Sequence, residues 1–96
     1  MQEKYININE LNIFYRELGD PKAQAIILVH GWSTTGKVWE EIAKKLSNNF
    51  HIIIPDNRGN GKSSIPTKGY HIKDYAKDVY NITQKLNLKS PIFVGH

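Results

Sequence analysis

Three short runs constrain this chain more than anything else in it. Ala25-Ile26-Ile27-Leu28-Val29, Ile52-Ile53-Ile54 and Ile92-Phe93-Val94 are apolar at every position. A half-exposed strand alternates apolar and polar side chains, so unbroken β-branched runs fit strands buried on both faces, as in a parallel sheet. Parallel strands need crossovers, and two patterns of helical period lie between the runs. In the first, Trp39, Ile42, Ala43 and Leu46 fall at i, i+3, i+4, i+7. Glu40 and Glu41 precede Lys44 and Lys45 by four residues, an order that suits both side-chain pairing and the helix dipole. In the second, Ile72, Tyr75, Ala76, Val79, Thr83 and Leu86 form the apolar stripe. Its start, at Tyr70 or His71, has no good side-chain cap.

The opening of the chain follows another rule. Tyr5, Ile6, Asn7 and Ile8, then Leu11, Asn12, Ile13, Phe14 and Tyr15, alternate on either side of Asn9-Glu10. That pattern predicts an antiparallel hairpin of half-exposed strands, ended by a turn at Gly19-Asp20-Pro21. The expected fold class is α/β: a hairpin, then parallel strands with connecting helices.

The 96 residues allow one domain at most, with a modest core. Cysteine is absent, which removes disulfides and thiolate metal sites and fits a reducing compartment. No apolar run approaches the roughly 20 residues that span a bilayer, and the start lacks a signal-peptide core. A cytoplasmic protein without membrane association is expected. The net charge of +4 raises the question of nucleic acid. The lysines are scattered, however, and several interleave with Glu40, Glu41, Asp74 and Asp78 on helical faces. A nucleic-acid footprint needs a stripe of one sign, so a solvated surface is expected instead.

After the isoleucine run comes Pro55-Asp56-Asn57-Arg58-Gly59-Asn60-Gly61-Lys62-Ser63, whose end imitates a phosphate-binding loop. In that motif a glycine stands five residues before the Gly-Lys pair, and here the position holds Asp56. A carboxylate there repels phosphate, and Pro66 obstructs the long helix that should follow. Nucleotide binding is not expected. Asp56 and Arg58 are read as bracing their loop through an ion pair and backbone hydrogen bonds.

In parallel α/β sheets, functional groups gather at the carboxyl ends of strands. Three such ends stand out here: His30-Gly31-Trp32, Asp56-x-Arg58-Gly59-x-Gly61-x-Ser63, and Gly95-His96. With the N-terminal hairpin and a Trp-bearing first helix, their order and spacing resemble the α/β-hydrolase family in its esterase-like form, over essentially the whole chain. The resemblance implies hydrolysis of a carboxylic ester or related acyl bond by a nucleophile, an acid and a histidine, with backbone N–H groups forming an oxyanion hole. His30 and Gly31 match the turn that aims the Trp32 N–H at the oxyanion, and a side chain at Gly31 would crowd the substrate oxygen. One such donor is typically worth about 3–4 kcal/mol in the transition state. Gly95 and His96 match the first two residues of the nucleophile elbow G-x-S-x-G. The resemblance implies a small ester-like substrate and no metal or organic cofactor.

On this resemblance, residues 1–96 correspond to the N-terminal part of a single, incomplete hydrolase domain. The triad residues would follow His96, so the 96 residues are expected to be inactive alone. His30, His51, His71 and His96 read as packing or turn contacts, and nothing in the sequence places a base beside Ser33, Ser63 or Ser64. Trp39 reads as core, though both tryptophans could line a pocket. Two alternatives stay open. A strand ending Val94-Gly95-His96 also precedes an aspartate nucleophile in epoxide hydrolases and haloalkane dehalogenases, although those relatives usually carry proline where Ser33 stands. The other is a non-catalytic remnant, or a binding or signalling module. Finally, the family's fifth strand lies beside its third, with a sixth beyond. The run at Ile92-Phe93-Val94 resembles that fifth strand, so an uncovered edge and self-association are expected.

Overall fold

A computed structural model describes residues 1–31 and 34–95. The strands are β1 (Gln2–Ile8), β2 (Leu11–Leu18), β3 (Ala25–Val29), β4 (His51–Pro55) and β5 (Ile92–Gly95). They form one sheet in the order β1-β2-β4-β3-β5. β1 with β2, and β2 with β4, pair antiparallel; β4 with β3, and β3 with β5, pair parallel. A short 3-10 helix (Gly36–Trp39) runs directly into α1 (Glu40–Leu46), and α2 (Ile72–Lys85) crosses from β4 to β5. Among the described residues, no helix is long and apolar enough to cross a membrane.

The hairpin turns where expected. Ile8 pairs with Leu11, and Asn9 and Glu10 both take positive φ, 48° and 71°. That is the backbone of a primed two-residue turn, whose twist matches the flanking strands.

The apolar runs of β3 and β4 are continuous because each face of the sheet carries a helix. Ile26, Leu28, Ile52 and Ile54 pack with Leu18 and Ala43 on the α1 side, with Trp39 half-buried beside them. Ile27 and Ile53 face the other way and join Ile6, Ile8, Ile13, Tyr15 and Ile82 under α2. The two-residue period of the strand thus feeds two cores from one run.

Several expectations need correction, that of a half-exposed hairpin among them, since Ile13, Phe14, Tyr15 and Arg16 of β2 are all buried. β5 is not buried on both faces: Ile92, Phe93 and Val94 are 46%, 55% and 37% exposed, because α2 does not reach over them and β3 is their one pairing partner among the described residues. The α2 stripe is buried only toward its C-terminal half. Asp78, Ile82 and Thr83 are its buried residues, while Ile72 is 87% exposed. The helix leans on the hairpin strands, so its first turns overhang an apolar depression lined by Val29, Ile72, Tyr75, Val79 and Phe93. On α1, Ile42 is exposed and Ala43 carries the burial.

The start of α2 does have a cap. The Asp74 carboxylate accepts the His71 backbone N–H at 3.0 Å, and the Asp74 N–H donates to the His71 carbonyl at 2.9 Å. A residue inside the first turn thus supplies what Tyr70 and His71 lack, and its charge suits the helix N-terminus.

Candidate active site

The parallel strands β3, β4 and β5 all end on one side of the sheet. Val29 pairs with Gly95, so the turn that leaves β3 begins level with the end of β5. The loop that leaves β4 lies on the other flank of the same turn.

His30 joins that turn to that loop. It is buried, at 3% exposure, and its Nε2 accepts the backbone N–H of Asn57 at 2.8 Å. Because a backbone amide can only donate, Nε2 must be the unprotonated nitrogen. The proton then sits on Nδ1, which lies 2.7 Å from the Gly31 carbonyl and donates to it. The Asn57 side-chain amide donates in turn to the His30 carbonyl at 3.2 Å. Thr34 Oγ1 also donates to the Gly31 carbonyl, at 3.0 Å. Both ring nitrogens are therefore engaged in holding the backbone, the turn contact expected of this histidine.

Asp56 lies at the first position after β4 and is fully buried. Its Oδ1 accepts Arg16 Nη1 at 2.8 Å and the Gly36 N–H at 2.7 Å, and its Oδ2 accepts the Lys62 N–H at 3.0 Å. Burial works against the charge, but these donors outweigh it and hold the carboxyl below its ordinary pKa. The Lys62 and Gly36 amides are satisfied by this internal anion, which is why the phosphate-loop imitation is only an imitation. Gly61, at φ 53°, lies so close that a Cβ there would collide with the Asp56 carboxylate.

The expected bracing role is present, but Asp56 and Arg58 do not pair with each other. Asp56 pairs with Arg16 of β2. Arg58 reaches Asp78 of α2 with two bonds of 2.7 Å and the Gly69 carbonyl at 3.0 Å. Asp78 raises the Arg58 pKa further. Arg16 is not among the site residues expected from the sequence, where Asp78 and Glu40 read as solvated surface charges. A signal for Arg16 existed: it lies in a strand whose neighbours Ile13, Phe14 and Tyr15 are all apolar, so its charge needed a buried partner.

The serines of the loop are spoken for. Ser63 Oγ donates to the Asp56 carbonyl at 2.6 Å and accepts the Phe14 N–H at 2.9 Å; Ser64 Oγ accepts the Asn12 N–H at 2.9 Å. Both stitch the loop to β2. His51 is at the opposite end of β4, 2.5 Å from Glu17, and His71 immediately precedes α2 as its N-cap residue. Gly31 lies two residues past the end of β3, and Gly95 is the last residue of β5. Trp32, Ser33 and His96, named above from the sequence, lie outside the described residues. A depression of about 540 Å³ opens beside the turn, lined by Val29, His30, Gly31, Asn57, Tyr70, Ile72 and Tyr75.

Residues 24–96 match the family described as alpha/beta hydrolase fold. The chain is 33% identical over 86 residues to a non-heme chloroperoxidase of Streptomyces lividans, covering 88% of this chain and 31% of that protein. It is 30% identical over 87 residues to the bifunctional esterase/perhydrolase DCH of Acinetobacter calcoaceticus, covering 90% and 32%. The structure superposes on a putative hydrolase from Rickettsia typhi with a TM-score of 0.93 at 31% identity, over 99% of this chain and 39% of that one. The chain spans about a third of the length of the curated relatives it matches. It belongs to the alpha/beta hydrolase fold family.

Proposed function

We propose that these residues supply the oxyanion side of a site that hydrolyses a carboxylic ester or related acyl bond. The observation that carries this reading is the pairing of Val29 with Gly95. It sets His30 and Gly31, which leave β3, near the end of β5 at Gly95, the residue that by resemblance opens a nucleophile elbow. On the family resemblance, the Trp32 N–H is the donor to the oxygen of an acyl group attacked from just beyond His96. Gly31 leaves room for the substrate oxygen, and His30 holds the turn against the β4 loop. Donors held in this way before reaction need no reorganisation as negative charge develops.

The nucleophile of this reading is a serine following His96, and the acid and histidine lie further along. The likeness to an esterase/perhydrolase supports an ester substrate, and the choice of serine rests on Ser33 standing where the aspartate-type relatives usually carry proline. The substrate is a small ester-like molecule, and the 96 residues alone do not turn it over. Among the described residues, His30 and Ser63 are each committed to backbone partners, which leaves neither available as base or nucleophile.

Reading the coding sequence onward from codon 96 tests the proposal. An in-frame Ser-x-Gly-Gly is expected. An aspartate at the first position would point to the epoxide hydrolase or dehalogenase type, and an immediate stop to a non-catalytic module; either would overturn it.

A further inference from the structure

We infer that Asp56, backed by Arg16, is a positioning residue that fixes the far end of the turn leaving β3, so that two consecutive residues of the β4 loop hold both ends of that turn. The near end is held by Asn57, whose backbone N–H donates to His30. The far end is held by Asp56, whose Oδ1 accepts the Gly36 N–H at 2.7 Å. Between these anchors lie only residues 31–35.

The Asp56 anchor is itself held from behind. Arg16 donates Nη1 to Asp56 and Nε, at 3.0 Å, to Glu40, the first residue of α1. One guanidinium therefore brackets the 3-10 helix that follows the turn, at its first residue Gly36 through Asp56 and at Glu40, just past its last residue, directly. The planar fork of arginine makes this possible, and a lysine could not present both donors in the same plane. Gly36 fits the clamp closely. A Cβ there would lie 2.7 Å from Ile54 Cγ2 and 2.8 Å from Arg16 Nη1. Asp56 is fully buried, so water cannot substitute for the carboxylate.

This inference rests on the proposed function only for the purpose of the turn; the clamp itself is a statement about backbone position. The test is amide hydrogen exchange and backbone chemical shifts of the 96-residue chain, comparing wild type with Asp56→Asn. The amide loses the charge that Arg16 needs and can offer only one acceptor oxygen where the carboxylate offers two. Exchange at Gly36 is expected to accelerate roughly tenfold more than at Ile27 and Ile53, whose shared increase reports the stability lost, with the Gly31 and Thr34 amide shifts moving. Uniform acceleration at Gly36, Ile27 and Ile53 with unmoved Gly31 and Thr34 shifts would mean that Asp56 only adds stability, and would overturn the inference.

Should the Asn variant not fold, Glu40→Gln carries the test, since it loosens the same guanidinium from a less buried position. Several-fold faster exchange at Gly36 is then expected, and unchanged exchange there would overturn the inference. These readouts follow the turn whatever chemistry it serves. Failure of the hydrolase reading would appear instead in the coding sequence beyond codon 96.

Discussion

Asp56 accepts the Gly36 N–H at 2.7 Å, and an added Cβ on Gly36 would lie 3.1 Å from the same carboxylate oxygen. The bond and the missing side chain are two aspects of one fit. Gly36 approaches Asp56 this closely because it has no Cβ, and the approach lets a buried carboxylate hold a backbone amide.

Gly36→Ala should therefore be costly, although the residue lies in a helix where alanine is ordinarily the better choice. The new methyl would press on Ile54 Cγ2 and Arg16 Nη1, both inside the packed face under α1. A loss of about 1–3 kcal/mol is expected from overpacking. Urea unfolding followed by circular dichroism would measure it, and an unchanged midpoint would show that the site can relax.

Acid should destabilise the fold through two carboxylates. Burial opposes the charge of Glu17 as it does that of Asp56, but bonds from Lys4 and His51 hold its pKa low too. A folded-state pKa below the unfolded one adds stability above the unfolded pKa, near 4 for both groups. That stability is lost as pH falls through the folded value. The urea midpoint should thus fall steeply below about pH 4. Asp56→Asn should flatten that fall while lowering stability at pH 7.

How far the sequence foretold this molecule depended on how local each feature is. The turn at Asn9-Glu10, the buried runs of β3 and β4 and the order of elements are governed by periodicity over a few residues, and they were legible. The partners of charged groups were not. Asp56 and Arg16 are 40 residues apart and Arg58 and Asp78 are 20 apart, so neither pair shares a local pattern, and Asp78 sits on a helix where surface charge is the ordinary reading. Period also misled at α2. Ile72 and Ala76 lie on the apolar stripe, yet the sheet beneath that end of the helix is left open, and tertiary placement overrides amphipathicity there.

Nucleotides should not bind. The Lys62 and Gly36 amides already donate to Asp56, so a phosphate would meet a carboxylate where it needs donors. Calorimetry with Mg-ATP or Mg-GTP should show nothing tighter than about millimolar, roughly 4 kcal/mol. Micromolar binding lost in Lys62→Ala would refute this.

The 96-residue chain should associate with itself. β5 presents an edge with no lysine or proline in Ile92-Phe93-Val94, and these side chains are exposed beside the apolar depression under the first turns of α2. Sedimentation at micromolar concentration should show species above monomer, diminished in Phe93→Lys. A monodisperse monomer with strongly protected amides at residues 92–94 would show the edge to be covered.

The most direct measurement of the central claim is reaction with a fluorophosphonate probe, read by intact mass and peptide mapping alongside p-nitrophenyl acetate turnover. The claim is that these residues build the oxyanion side of a hydrolase site and none of them is its nucleophile. The 96-residue chain should take up no probe and turn over the ester no faster than a denatured control. In a longer product of the same gene, the adduct should fall on the residue immediately after His96. An adduct on Ser33, Ser63 or Ser64, with saturable turnover abolished by replacing that serine, would contradict the account.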